Sequence, residues 1–248
     1  MGTLEAHIRL SDDLGIRYAL LAGDPERIGR VAAHLEDVQE LAYNREYRSL
    51  CGTYQGVRVL AMSTGIGGTS MGIAVEELAH IGIKAAIRIG SAGSYQPGIG
   101  LGELIIASGA VRDDGTSKAY IPVAFPAVAD PELLSCVIAA AKEQKSISHV
   151  GLVRSHDSFY TDQEDEICAY WSKFGILGAD METSALYTIA HLRGIKAASI
   201  LNNVVLYQSD AGDSIDQYAS GDSRMADGER AEILTALETF VRMEGANE

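Results

Sequence analysis

The sequence has few cysteines, no long apolar run and no secretory signal pattern, the features that mark disulfide-rich, membrane and secreted proteins. Its three cysteines, Cys51, Cys136 and Cys168, form neither a CxxC pair nor a cluster with histidine. This argues against a disulfide framework and a zinc site, and we expect each thiol to act as a small buried side chain. No apolar run approaches the roughly 20 residues of a membrane helix, and the N-terminus lacks a basic-then-apolar signal pattern. We therefore expect a cytoplasmic protein with no membrane partner.

Basic residues are also scarce relative to acidic ones. Lysine and arginine number 20 against 34 aspartates and glutamates, which gives a net charge of −14. Such a charge repels nucleic-acid polymers, so we expect no nucleic-acid partner. Any small anionic ligand must then be held by a local basic pocket.

What the sequence does contain is an alternation of short apolar runs and helix-like segments. This alternation predicts an α/β fold with a mixed, mostly parallel sheet covered by helices on both faces, in one domain over residues 1–248. The predicted strands are Tyr18–Ala22, Val57–Ser63, Ala85–Ile89, Leu104–Ala110, His149–Val153 and Ala197–Val205. The predicted helices are Ser70–Ile81, Pro131–Lys142, Met181–Leu192 and Met225–Arg242. The segment Gln208–Ser223 is acidic and rich in small residues, which predicts a mobile or lid-like loop.

Glycine-containing turns follow three of the predicted strands, at residues 22–27, 63–68 and 88–93. Ligands of open α/β sheets bind where strands end, and glycines there let backbone amides approach an anion. None of the turns fits a dinucleotide or nucleoside-triphosphate pattern. Arg27 and Arg88 lie beside two of them. From the residues alone, each arginine is either part of a structural ion pair or a ligand for an oxyanion.

Several motifs together resemble one enzyme family. They are GDPERI (23–28), NREY (44–47), STGIGG with Ser70 (63–70), the long segment 75–99 and FPAVAD (125–130). In this order they are similar to the nucleoside phosphorylases, the family of uridine phosphorylase and the hexameric purine nucleoside phosphorylases. The resemblance runs from about His7 to the last helix, and through the first two-thirds of the chain it is strongest to uridine phosphorylase. It implies a three-layer αβα sandwich.

The resemblance implies a phosphate site. Its residues would be Gly23 and Arg27 from the first turn, Arg88 and Ser91 from the third, and Arg45, which in this family comes from the neighbouring subunit. Three guanidiniums, an amide and a hydroxyl suit a phosphate dianion. The set favours phosphorolysis over hydrolysis, with inorganic phosphate as co-substrate and no cofactor. A shared arginine implies a homo-oligomer, at least a dimer, and the family suggests a hexamer built as a trimer of dimers.

The segment GADMETSAL (178–186) matches the family's sugar-binding motif. Met181 would pack on the ribose and Glu182 would accept hydrogen bonds from its hydroxyls, while His7 would reach the 5′-hydroxyl of a neighbouring subunit's substrate. Three further positions match residues that bind potassium in some relatives: Glu46, Ile66 and Ser70.

The base site departs from the family pattern. Phe159 would stack on the base or sugar, and Gln163 would hydrogen-bond the pyrimidine edge. However, Asp165 and Tyr207 stand where the uridine enzymes carry arginines, and Val205 lies at or near the place of the purine enzymes' aspartate. Neither set of specificity residues is complete.

We therefore expect a nucleoside phosphorylase acting on uridine or a related pyrimidine ribonucleoside, with Arg27, Arg88 and Gln163 as the catalytic residues. Two alternatives remain open at this point. One is a phosphorylase of purine or modified nucleosides, and the other is a non-catalytic nucleoside-binding protein on the same scaffold.

Overall fold

The computed structural model describes residues 3–208 and 223–246. Its strands are β1 (Tyr18–Ala22), β2 (Glu36–Asn44), β3 (Tyr47–Tyr54), β4 (Val57–Ser63), β5 (Ala85–Ser94), β6 (Leu104–Asp113), β7 (Ala127–Val128), β8 (Ser148–His156), β9 (Gly178–Asp180) and β10 (Lys196–Val205). Its helices are α1 (Pro25–Ala32), α2 (Gly68–His80), α3 (Gly115–Tyr120), α4 (Pro131–Glu143), α5 (Glu164–Ser172), α6 (Thr183–Arg193) and α7 (Ser223–Gly245). A short 3₁₀ turn spans Asp12–Leu14.

The strands form one mixed sheet in which β5 is central. Strand β5 pairs in parallel with β1 on one side and with β10 on the other, and its last two residues pair with β9 instead of β1. The chain of pairings β5–β10–β6–β8–β9–β5 closes into a ring. Strands β1, β4, β3 and β2 extend the sheet outward from β5. Antiparallel pairings are as frequent as parallel ones among these strands, so the sheet is mixed throughout.

Each face of the sheet is covered by its own helices because the strands are apolar on both faces. In β1, Ala19 and Leu21 point into a core with α2 and α6, whereas Leu20 and Ala22 point into a second core with α1, α4 and α7. Side chains alternate between faces along a strand, so an all-apolar strand must be covered twice. The predicted sandwich of helices around a mixed sheet is confirmed.

Helix α1 begins directly after β1 and carries a residue of the first glycine turn. The Asp24 side chain accepts a hydrogen bond from the Glu26 amide at 2.8 Å, and Pro25 occupies the first helical position. An aspartate cap followed by proline is a strong start signal for a helix. This fixes the direction of Arg27, one turn further on.

The sequence predicts β1 and β4 residue for residue. It also finds eight further elements with bounds that differ from the observed ones, namely β5, β6, β8, β10, α2, α4, α6 and α7. It misses β2, β3, β7, β9, α1, α3 and α5. The predicted loop Gln208–Ser223 has residues 209–222 outside the described part of the chain.

Over 3–208 and 223–246, no helix is both long and apolar enough to cross a membrane.

Candidate active site

A cavity of about 740 Å³ opens where the turns after β1 and β4 meet the second half of β5. Most residues of the predicted phosphate, sugar and base sites line it. They are Gly23, Arg27, Arg88, Ser91, Phe159, Met181, Glu182 and Val205. One cavity thus brings together segments that are far apart in the sequence.

Arg27 lies at the end of this cavity where the phosphate site is predicted. Its side chain is nearly fully buried, and its Nε donates to Glu229 Oε2 at 3.0 Å. Its Nη2 donates to the Ser91 hydroxyl at 3.3 Å, and its Nη1 lies 3.4 Å from Glu232 Oε1. Two predicted phosphate ligands, Arg27 and Ser91, are therefore in direct contact, and helix α7 places two carboxyl groups behind them.

Arg88 lies in the middle of β5 and is also buried. Its Nε donates to Asp180 Oδ2 at 3.0 Å, and its Nη2 lies 2.6 Å from Glu182 Oε2. The guanidinium folds back over Gly90, where an added Cβ would lie 2.5 Å from Arg88 Nη2. Glycine is required at that position because any side chain would displace the guanidinium.

Asp180 fixes the orientation of Arg88 from β9. Its Oδ1 accepts from the Ser155 hydroxyl at 2.6 Å, and its Oδ2 accepts from the Thr183 amide and hydroxyl at 3.0 and 2.6 Å. Every oxygen of this buried carboxylate is thus hydrogen-bonded, as a buried charge requires. Asp180, which was not among the predicted site residues, therefore holds Arg88 in place.

Glu182, a predicted sugar ligand, contacts the predicted phosphate ligand Arg88. Besides contacting Arg88, it accepts from the Gly67 amide at 2.5 Å through Oε1. Burial raises the pKa of Glu182, and nearby Asp180 adds to this, while the Arg88 charge acts in the opposite direction. The carboxyl group is thus held between the Arg88 guanidinium and the Gly67 amide.

The opposite end of the cavity is lined by Tyr95, Phe159, Glu164 and Cys168. Arg154 binds Asp113 and donates through Nη1 to the Tyr95 hydroxyl at 3.1 Å. Because that oxygen accepts from an arginine, its own proton goes to Glu164 Oε1, 3.2 Å away. Glu164 Oε2 is buried without a hydrogen-bond partner in the described part of the chain.

His156 also lines this end of the cavity. Burial lowers its pKa, and the Arg154 charge lowers it further, so the neutral ring is favoured. Its Nδ1 lies 2.9 Å from the Ser158 carbonyl, which accepts only, and the ring proton is therefore on Nδ1. Nε2 is left as a hydrogen-bond acceptor. The His156 ring nitrogen and the Glu164 carboxyl group together give this part of the cavity a predominantly accepting character.

Several predicted residues lie away from the cavity lining. Gln163 is exposed at the start of α5, and its neighbour Glu164 lines the cavity instead. Tyr207 packs against a small cluster that includes Tyr95 and Cys168. The assignment of Gln163 as a catalytic residue stays a prediction.

His7 and Arg45 also lie outside the lining of their own chain's cavity, but close to each other. The Asn44 side chain, next to Arg45, donates to the His7 carbonyl at 2.8 Å, and the His7 ring lies 2.7 Å from Glu77 Oε1. The two residues that the family takes from a neighbouring subunit therefore share one surface.

The three positions matched to a potassium site lie near one another. The Ser70 hydroxyl is 3.2 Å from the Ile66 carbonyl, and an added Cβ on Gly65 would touch both Glu46 and Ser70. Within 3–208 and 223–246, no group of three histidine, cysteine or acidic side chains has the geometry of a metal site. Potassium binding stays a prediction.

The comparisons with known proteins agree with this geometry. Residues 17–237 match the family model described as the Phosphorylase superfamily. The chain belongs to this family. The resemblance to the nucleoside phosphorylases is thereby confirmed, and the protein is an enzyme of this kind.

Individual members of the family show how similar this chain is to proteins of known activity. The chain is 41% identical to the uridine phosphorylase of Thermococcus kodakarensis over 209 residues, which cover 79% of this chain and 76% of that protein. It is 35% identical to the guanosine phosphorylase of Halorubrum lacusprofundi over 216 residues, 86% of this chain and 89% of that one. A crystal structure of uridine phosphorylase from Vibrio fischeri ES114 is 49% identical, with a TM-score of 0.90 over 98% of both chains.

Proposed function

We propose that the protein is a uridine phosphorylase, which converts uridine and inorganic phosphate to uracil and ribose 1-phosphate. The observation that carries this proposal is the single cavity that joins Arg27, Arg88 and Ser91 to the Met181–Glu182 pair. Phosphate at the first set would lie next to a ribose at the second. The similarity to several uridine phosphorylases supports uridine as the nucleoside.

The electrostatics of the phosphate end support a site completed by a second subunit. Arg27 faces Glu229 and Glu232, and Arg88 faces Asp180 and Glu182, so each guanidinium already has carboxyl neighbours. Two such arginines give little net positive charge for a phosphate dianion. Arg45 of a neighbouring copy would supply the missing cation.

The oligomer is therefore part of the proposal. Since His7 and Arg45 share one surface of the chain, a single interface would deliver both to a neighbour's cavity. A two-fold dimer with two shared sites is the smallest assembly that satisfies this. A hexamer of three such dimers and a cytoplasmic location are further predictions.

The reaction follows from the order of the groups along the cavity. Phosphate held by Arg27, Arg88 and Ser91 lies beside the anomeric carbon while the bond to the base stretches. The phosphate charge stabilises the cationic sugar and then bonds to it, so positioning and preorganised charge supply most of the acceleration. The electron pair of the broken bond leaves with the base.

The accepting groups at the far end fit uracil as the base. Uracil carries one ring N–H between two carbonyls, and Glu164 and the His156 Nε2 are acceptors for such a donor. Cytosine has an unprotonated nitrogen at the same place and would face these acceptors without a proton to donate. This difference supports uridine over cytidine.

A nucleoside panel tests the proposal. The purified protein is incubated with uridine, cytidine, inosine, guanosine and adenosine, with and without phosphate, and free base is followed by chromatography. Phosphate-dependent release from uridine is the expected result. Release from none of the nucleosides would favour a binding protein. Release from purine nucleosides alone would show that the substrate is a purine nucleoside and contradict the assignment to uridine.

A further inference from the structure

Glu232 is a fully buried carboxyl group immediately behind the phosphate end of the cavity. Its Oε2 accepts from the Gly90 amide at 3.1 Å, in the part of β5 that also carries Ser91. Its Oε1 lies 3.4 Å from Arg27 Nη1 but makes no hydrogen bond within the described ranges. The side chain thus contacts two parts of the phosphate site at once.

The charged groups around Glu232 come from three elements. Arg27 approaches from α1, Arg88 from β5, and Glu229 from one turn earlier on α7 itself. Glu229 contacts both Arg27 and Arg30. Two buried carboxyl groups therefore face the Arg27 guanidinium, and a phosphate dianion would bring further negative charge to the same place.

Two carboxylates and a dianion around the same guanidinium repel one another strongly in a buried site. Burial raises the pKa of Glu232 to about 8, and Glu229 adds to this, whereas Arg27, the Gly90 amide and Arg88 act against it. Near neutral pH the group is therefore mostly the neutral acid. The Gly90 contact is compatible with this, because the carbonyl oxygen of a neutral acid still accepts a hydrogen bond.

We propose that Glu232 is a positioning residue of the phosphate site that must carry a proton when phosphate is bound. As the neutral acid it holds the Gly90 amide of β5 without competing for Arg27. As a carboxylate it competes with phosphate for the same guanidinium. Above the pKa of the group, phosphate binding then takes up one proton from solvent, which becomes the hydroxyl proton of Glu232. This inference rests on the proposed phosphorolysis.

The first test is the pH dependence of kcat/KM for phosphate in the wild type and in Glu232→Gln, from about pH 6 to about pH 10. Glutamine keeps an acceptor for the Gly90 amide and cannot ionise. The wild-type value is expected to fall about tenfold for each pH unit above the pKa, as loss of one proton requires. The variant should lack this fall. An unchanged alkaline fall in the variant would overturn the proposal.

Glu229→Gln is the matched control, since it makes the same change one turn away on the same helix. Glu229 raises the pKa of Glu232, so its neutralisation should keep the alkaline fall but move the midpoint to lower pH. A fall that disappears in this variant, and persists in Glu232→Gln, would assign the titration to Glu229 and contradict the proposal.

Calorimetry separates this inference from the proposed function, because it needs no turnover. Binding of inorganic phosphate is measured at about pH 9 in two buffers of different ionisation enthalpy, which counts the protons exchanged. The wild type should take up close to one proton and Glu232→Gln close to none. Phosphate binding without proton uptake in the wild type would overturn the inference even if the variant failed to fold. Absence of phosphate binding would instead count against the phosphorylase proposal.

Discussion

Arg88 and Glu182 form a buried ion pair, with Arg88 Nη2 2.6 Å from Glu182 Oε2. The arginine belongs to the predicted phosphate set and the glutamate to the predicted sugar set. A ligand at either residue therefore changes the electrostatic environment of the other. We expect phosphate and nucleoside to influence each other's binding through this contact.

Arg88→Ala should impair both the reaction and the fold. It removes a phosphate ligand and leaves Asp180 and Glu182 buried without their cation, a loss worth about 3–5 kcal/mol for a buried pair. We expect a lower Tm and a kcat/KM for phosphate reduced at least a hundredfold, on the order of one lost charged contact.

The matched control is Arg193→Ala, which breaks an exposed pair with Glu76. An exposed pair contributes about 1 kcal/mol or less, so Tm and phosphate kinetics should change little. An Arg88 variant with wild-type phosphate kinetics would show that Arg88 has only a structural role.

The stability of the protein should depend on Glu232 in a defined direction. Its pKa is about 8 in the folded chain against an ordinary value of 4.5. Between these two pH values the folded state binds more protons than the unfolded state. The free energy of unfolding therefore decreases as pH rises from about 4.5 to about 8. Glu232→Gln should raise Tm relative to wild type, by more at alkaline pH than near pH 5. A difference in Tm that is constant across this range would contradict the assignment.

Tyr95→Phe tests the base end of the cavity. The change removes the hydroxyl between Arg154 and Glu164, so the Glu164 carboxylate loses the contact that orients it. We expect the KM for uridine to rise about tenfold, on the order of one hydrogen bond to a charged group, with the KM for phosphate unchanged. Tyr170→Phe, an exposed position outside the cavity, makes the same change and should leave both constants as they are. Equal effects on both substrates would point to a general loss of structure.

Mixed oligomers test the shared site. Arg45→Ala and Glu182→Gln are each expected to be nearly inactive, and co-expression should restore activity to about a quarter of the wild type. In half of the random dimers, one site would combine an intact Glu182 with an intact Arg45 from the other chain. Activity no higher than that of the separate variants would mean that each chain works alone.

The strands that the sequence predicts residue for residue are those with two apolar faces. Strands β1 and β4 are buried along almost their whole length, and their bounds follow from composition alone. Strand β2 is exposed along most of its length and has a mainly polar sequence, so its pairing with β3 could not be inferred from hydrophobicity. A polar strand of this kind can be recognised only from the strand that it pairs with. Here that strand is β3, which the sequence does not predict either.

The candidate site likewise contains residues that the sequence predicts and residues that it does not. Gly23, Arg27, Arg88 and Ser91 belong to glycine-containing motifs that the sequence singles out, and the structure brings them to one cavity. Arg88 and Ser91 lie within β5 and not in the turn predicted over residues 88–93. Glu229 and Glu232 were missed, although a signal was present. They lie three residues apart on the face of α7 that also buries Met225 and Ala236, and acidic residues on an apolar face are rarely without a charged partner.

The base end shows the limit of sequence reasoning most clearly. Which residue of the segment 156–166 faces the cavity depends on the exact turn that leads into α5. The structure places Glu164 in the lining, one position beyond the predicted Gln163. The proton on His156 likewise follows from its contact with the Ser158 carbonyl, a detail of local geometry.

The most direct test of phosphorolysis is the identity of the sugar product. The purified protein is given uridine and inorganic phosphate, and the reaction is followed by phosphorus NMR together with uracil absorbance. The expected result is ribose 1-phosphate formed in an amount equal to the uracil released, with no uracil in the absence of phosphate. Free ribose, or uracil release that does not depend on phosphate, would contradict the assignment.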